Sequence, residues 1–237
     1  GNWVFRTILA HHEFKPSEQS SLDGSKTMLL SHIELGLTGH TALMFHVIES
    51  WEDISGSKKN SGLEDSRLTF KWRFYQDDFG PVDTFRLGIL AGLELPTGSD
   101  VYSTGSISPH IALSGMYIEG RHGVTTSLMY HVTQGDHLEP VMAGEKDANH
   151  LSFDASYLYR IAPETYGATM EAAWYVGAEL NGDWETDGDT EILLRPILLY
   201  EAPAWAFELT YGLPVYEDVV HRPEIDHEFK LGFRFLF

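Results

Sequence analysis

The chain has 237 residues, no cysteine, and 35 acidic against 16 basic residues, for a formal charge of −19. The missing cysteine removes disulfides, thiolate metal sites and cysteine nucleophiles together, and the acidic balance argues against nucleic acid held through its phosphates. An acidic exterior suits divalent cations or lipopolysaccharide bridged by them, while the length fits one closed barrel as well as one sandwich or two small domains.

No stretch approaches the roughly 20 apolar residues of a membrane helix, so a form that crosses a membrane must cross as strands. The sequence opens Gly1-Asn2-Trp3 with no basic, apolar leader, as a mature form would. No Pro, Gly or Ser-rich linker divides it, and residues 1–237 are expected to form one domain.

Twelve segments alternate apolar with polar residues at the two-residue period of a strand. The first, about 3–12, is the least regular. The second, about 26–37, returns through Thr38-Gly39-His40 into the third, about 41–51, and a polar loop at 55–62 follows. In the fourth, Leu68, Phe70, Trp72 and Phe74 alternate with Arg67, Thr69, Lys71 and Arg73, and a face with three cations is no soluble core. A turn at 76–81 leads to the fifth, where Phe85 to Leu95 oppose Arg86, Gly88, Gly92 and Glu94. The long loop 96–106 comes next.

The sixth segment, about 109–119, turns at 120–123 into the seventh, about 124–134. The longest loop, 135–149, carries His137 and precedes the eighth at His150. There Leu151, Phe153, Tyr157 and Tyr159 oppose Asp154 and Arg160. A short link at 162–167 leads to the ninth, with Met170, Trp174 and Leu180 opposite Glu171 and Glu179. An acidic loop at 181–190 precedes the tenth, 191–201, which turns at Ala202-Pro203 into the eleventh, where Trp205, Phe207, Leu209, Tyr211 and Leu213 oppose Glu208. After a loop at 216–223, the twelfth runs from Ile225 to Phe237. Ile225, His227, Phe229, Leu231, Phe233, Phe235 and Phe237 form one face, and Asp226, Glu228, Lys230 and Arg234 the other.

Even strand number, short and long connections in turn, and two-faced strands specify an all-β fold: a 12-stranded up-and-down antiparallel transmembrane β-barrel. A soluble sandwich or lipocalin-like barrel would show similar alternation. Strand lengths near ten, long loops at one end only and the final Phe favour the membrane form. Aromatic residues near segment ends, among them Phe85, Tyr157, Tyr159, Trp174, Trp205 and Phe229, fit membrane girdles.

The terminal strand resembles that of bacterial outer-membrane barrels, where a closing Phe is read by the insertion machinery. Gly62-Leu-Glu-Asp65 through Phe74, and Ala91-Gly-Leu-Glu-Leu-Pro-Thr-Gly98, resemble an outer-membrane family named for the meta-pathway of phenol degradation. Its members carry G-L-x-D and then G-x-x-L-P-T-G. Tyr211-Gly-Leu-Pro-Val-Tyr216 with Leu231-Gly-Phe-Arg-Phe235 resembles the same family's last hairpin. The resemblance spans about 63–237 and implies a twelve-stranded barrel admitting small molecules, hydrophobic or aromatic ones among them. By itself Pro96 ends a hydrogen-bond ladder and Gly98 permits a sharp departure, so L-P-T-G reads as structure.

With the apolar faces in lipid, the lumen receives Arg67, Lys71, Arg73, Arg86, Glu94, Asp154, Arg160, Glu171, Glu179, Arg195, Glu201, Glu208, Asp226, Glu228, Lys230 and Arg234. Cations gather on the fourth and fifth segments and anions on the ninth to twelfth, so the walls are expected to differ in sign. Such a lumen is either a narrow selective path or a barrel filled by salt-bridge ladders. Around Gly39, His32 should face His46, with Glu34 opposite Met44. His110, His131 and His150 fall on three adjacent segments toward the outer end, where His11, His12 and His137 could join them. Neutral imidazoles so placed could share a transition metal, or line the pore as hydrogen-bonded rings. No other cofactor is implied. No activated nucleophile with its base can be assembled, and His227, facing lipid, has no paired serine, so no enzyme is expected.

The function read from the sequence is passive uptake of small molecules across the bacterial outer membrane. Two alternatives stand beside it: a metal-handling barrel and a closed barrel that anchors a partner.

Overall fold

The structure, a computed structural model, describes residues 2–55, 59–135, 141, 148–167 and 172–237. Among them are thirteen strands: β1 (Trp3–Lys15), β2 (Gly24–Gly36), β3 (Thr41–Ile54), β4 (Asn60–Leu63), β5 (Ser66–Asp78), β6 (Thr84–Leu95), β7 (Ser108–Glu119), β8 (His122–His131), β9 (His150–Ala162), β10 (Ala173–Glu185), β11 (Thr190–Glu201), β12 (Trp205–Asp218) and β13 (Glu224–Leu236). The one helical element among the described residues is a 3-10 turn at Asp100–Tyr102. All pairings are antiparallel, and apart from β3 with β5 and β1 with β13 they join neighbours in the chain. β1 pairs with β13, which closes the ring.

Twelve strands make the barrel, as the alternation predicts. The thirteenth, β4, solves a local problem. β3 leaves β5 after the pair His46 and Arg67, and beyond that point its outer edge would be unpaired. β4 pairs with Glu49–Glu52 instead. The extra strand takes up the backbone groups of that edge.

The side-chain alternation sorts the wall. Outward positions are large and apolar, and they are open: Ile111 is 56% exposed, Leu113 52% and Trp72 48%. Inward positions are polar and buried, among them Thr69, Glu94, His110, Arg195 and Glu228. An apolar belt around a polar interior is the inverse of a soluble barrel and is stable only in a bilayer. Both termini lie at the end bearing the turn 37–40, the periplasmic end by the convention of such barrels. Ring contacts mark its girdle: Tyr200 lies 4.8 Å from Trp174 and 5.1 Å from Trp205, and Phe85 lies 5.6 Å from Tyr75.

Two expectations are corrected. The connections do not alternate strictly in length, because β10 continues to Glu185 and leaves only 186–189 as its outer loop, while the periplasmic link 163–172 is long. The ladder between Gly182 and Ile192 is unbroken, so residues that look like a loop by their acidity are strand. Second, the terminal strand does not keep its period. Glu13 pairs with His227 but Phe14 pairs with Ile225, so Asp226 is a bulge. The bulge turns Ile225 inward, where it is buried, and puts Asp226 on the exterior, exposed. Asp226 is therefore not a lumen residue. His227 stays outward as expected, with Nδ1 3.0 Å from Asp226 and its ring 5.8 Å from that of Tyr211.

Candidate functional site

The lumen is built from side chains that lie along the wall. Glycines on the intervening strands let polar groups two strands apart meet. Glu228 of β13 crosses Gly212 of β12 to grip Arg195 of β11, with Arg195 NH2 3.0 Å from Oε2. A Cβ on Gly212 would stand 2.6 Å from Glu228 Oε1. Arg6 of β1 reaches Glu208 of β12 at 3.1 Å past Gly232. His110 of β7 reaches Thr69 of β5 at 2.9 Å over Gly92, where a Cβ would stand 2.7 Å from the imidazole Nε2. At Gly212 and Gly92 even a methyl group would displace the polar contact, whereas at Gly232 a Cβ would stand 3.6 Å from Glu208 Cβ, an ordinary contact.

The charged residues singled out in the sequence sit on the inner wall, with two exceptions. Asp226 faces out, and Glu171 lies outside the described residues, as does His137. Arg67 pairs with Glu94, Lys71 with Glu34 at 3.1 Å, Arg86 with Asp78 at 3.6 Å and Arg234 with Glu201. Arg195 also contacts Glu179 at 3.1 Å, and Lys230 lies 3.3 Å from Glu228. Arg160 stacks 4.0 Å from the Tyr166 ring centre. Arg73 donates to the Gly39 carbonyl. Asp154 accepts from Ser127 at 2.8 Å and from Asn181. The expected division into a cationic and an anionic wall is thus largely neutralised locally, strand by strand.

These pairs join strands no more than two apart, so they do not bridge the barrel. Space remains at the periplasmic side: a cavity of about 540 Å³ adjoins one of about 570 Å³, and both are lined by Arg86, Met116, Thr125, Ser156 and Glu179.

Above this space, imidazoles occupy the wall. His32 and His46 are register partners with ring centres 4.4 Å apart, as the turn at Gly39 predicts, and Glu34 faces Met44. His110, His131 and His150 follow one another on β7, β8 and β9. His12 also points inward, 3.3 Å from Glu228, whereas His11 faces outward to Thr27 and Glu13. The Nε2 atoms of His12, His32, His46 and His131 and Nδ1 of His110 are buried without a hydrogen-bond partner.

Among the described residues an apolar cluster lies at the outer mouth. Val141, from the connection between β8 and β9, is 1% exposed and packs with inward Phe14, Ile54, Leu193 and Ile225 from four strands around the ring. Beside it, Arg222 contacts Glu185 at 2.8 Å and Glu191 at 3.7 Å. Burial opposes the charge of Arg222, but Glu191 and Glu185 outweigh it and hold its pKa above the ordinary value. The sequence reading missed Val141, Asp183, Glu185 and Arg222. The inward parity of β10 would have flagged Asp183 and Glu185, but a residue carried into the mouth by a loop has no local signal.

The two motifs resembling a known family meet in space. Asp65 Oδ1 accepts the Gly98 N–H at 2.8 Å and Oδ2 accepts the Thr104 N–H at 2.9 Å. Thr97 Oγ1 accepts the Ser66 N–H at 3.0 Å. They form a latch that folds the loop after β6 onto the start of β5, a contact between the two motifs that the reading of Pro96 and Gly98 alone did not contain.

Several solved structures share the architecture. An outer membrane channel from Pseudomonas putida F1 aligns with a TM-score of 0.69 at 13% identity, covering 100% of this chain and 96% of its own. The β domain of the Bordetella autotransporter BrkA gives 0.54 at 14%, covering 99% and 98%. The NanC porin gives 0.51 at 10%, covering 98% of each. At these identities the likeness shows an outer-membrane barrel fold. No curated protein matches the sequence. A family model described as "Putative MetA-pathway of phenol degradation" matches residues 17–223, most of the barrel including both latch motifs, and the chain belongs to that family.

Proposed function

We propose that the chain is an outer-membrane channel for passive passage of small molecules, hydrophobic and aromatic ones among them, with entry controlled at the outer mouth by the Val141 plug. The observation that carries this reading is the arrangement of the ion pairs. They fasten charged side chains to the wall and leave adjoining cavities of about 540 and 570 Å³ beneath. A barrel whose interior served only as a plug would fill this volume with side chains meeting across the lumen. The lumen presents both charged groups and apolar surface such as Leu158, Ile197 and Leu199, which suits solutes with an apolar body and a polar end. The reading makes the lumen a conduit and gives it no catalytic step.

The bilayer is the partner of the apolar belt. Lipopolysaccharide, bridged by divalent cations, is the partner we assign to the acidic outer rim, where Glu13 and Asp226 face outward.

Liposome swelling tests the reading. Vesicles carrying the folded barrel are expected to swell in solutions of small neutral and aromatic solutes and not of solutes larger than the cavity. Swelling no faster than that of empty vesicles would contradict it.

A further inference from the structure

We infer, on the reading of the lumen as a conduit, that its periplasmic part holds a carboxylate-binding subsite centred on Arg160, for small organic acids with an apolar body. Five arginines and three glutamates line the cavity of about 540 Å³, a local excess of positive charge in a chain whose formal charge is −19.

The carboxylates already present are engaged by other arginines. Glu208 pairs with Arg6 at 3.1 Å, Glu201 with Arg234, and Glu179 with Arg195 at 3.1 Å. Arg86 and Arg121 have Asp78 and Glu164 at 3.6 and 3.8 Å. Among the described residues Arg160 has no carboxylate partner, and its side chain donates no hydrogen bond. It is 6% exposed, and its Nε is buried without a partner. The other buried arginines behave differently: Arg195 meets Glu179 and Glu228, and Arg222 meets Glu185 and Glu191. A guanidinium taken out of water without an acceptor is costly, and a carboxylate offers the two oxygens that match its N–H fork.

Neighbouring side chains complete the site. Arg160 and Tyr175 are register partners on β9 and β10. The guanidinium lies over the Tyr166 ring, 4.0 Å from its centre, and contact through its face leaves the in-plane N–H groups to an acceptor. Tyr166 and Tyr175 join hydroxyl to hydroxyl at 2.9 Å. Two phenols that share one hydrogen bond keep one O–H to donate, so the pair can offer a carboxylate a further donor. Leu158, Ile197 and Leu199 line the same cavity and suit the apolar body.

Isothermal titration of the detergent-folded barrel with hexanoate, and with hexanamide as its uncharged counterpart, tests the subsite. The wild type is expected to bind hexanoate roughly tenfold more tightly than hexanamide, and Arg160→Gln to lose that preference. Lys59→Gln, which removes an exposed positive charge paired with Asp53, should keep it. Tyr166→Phe with Tyr175→Phe removes both hydroxyls, keeps both rings, and should weaken hexanoate but not hexanamide. Equal affinity for the two probes in the wild type, or an undiminished preference in folded Arg160→Gln, would overturn the subsite. If Arg160→Gln does not fold, the double tyrosine variant decides. The titration reads binding and not conduction, so its failure in a barrel that gives current steps sinks the subsite and spares the conduit.

Discussion

The carboxylate of Asp65 holds Gly98 in place: Oδ1 accepts the Gly98 N–H at 2.8 Å while Oδ2 takes the N–H of Thr104. Asp65 is buried, and a Cβ on Gly98 would stand 2.6 Å from the Tyr102 carbonyl and 2.9 Å from Asp65 N. Asp65→Ala leaves two backbone donors without their charged acceptor. It is expected to cost about 2–4 kcal/mol, read as a lower urea midpoint for unfolding from vesicles. Gly98→Ala should show a loss of similar size. An unchanged midpoint in both would remove the latch from the account.

The cross-strand contacts make a second prediction. Gly212→Ala has to displace Glu228 from Arg195, leaving a buried guanidinium short of its carboxylate. A loss of about 3 kcal/mol is expected, whereas an alanine at Gly39, with open space around it, should change stability by under about 0.5 kcal/mol. Equal effects at the two glycines would show that Gly212 is not a passage for the Glu228 side chain.

These two relationships show where sequence reasoning stops. The period of two residues gives the twelve barrel strands, the inward set of charges and the pairing of His32 with His46, because each depends on one strand or one tight turn. The roles of Gly92, Gly212 and Gly232 involve three strands at once and have no local signature. The bulge at Asp226 is a single inserted residue in an otherwise regular pattern, and it reverses the facing of Ile225. Val141 packs against Phe14, Ile54, Leu193 and Ile225, which only the closed barrel brings together.

The orientation of the wall can be tested directly. Phe70 faces lipid, and Phe70→Arg should destabilise the barrel by about 2–4 kcal/mol if the position is near the midplane. At Ser114, on the inner wall against Gly88, the same substitution should cost appreciably less. The reverse ranking, measured by unfolding in the same vesicles, would describe a soluble barrel.

His227 is bonded to Asp226 on the exterior and contributes nothing to the lumen. His227→Ala is expected to leave single-channel conductance unchanged and stability within about 0.5 kcal/mol of wild type. A shift in conductance would put this ring, or the bulge that carries it, in the permeation path.

The central claim is that the lumen conducts and that Val141 closes its outer mouth. Planar-bilayer recording of the wild type beside Val141→Glu tests it most directly, since a carboxylate cannot remain among Phe14, Ile54, Leu193 and Ile225 without drawing water into the cluster. The account predicts discrete current steps from the wild type and a larger open fraction from the variant. Folded, heat-modifiable protein that gives no steps in either form would contradict it.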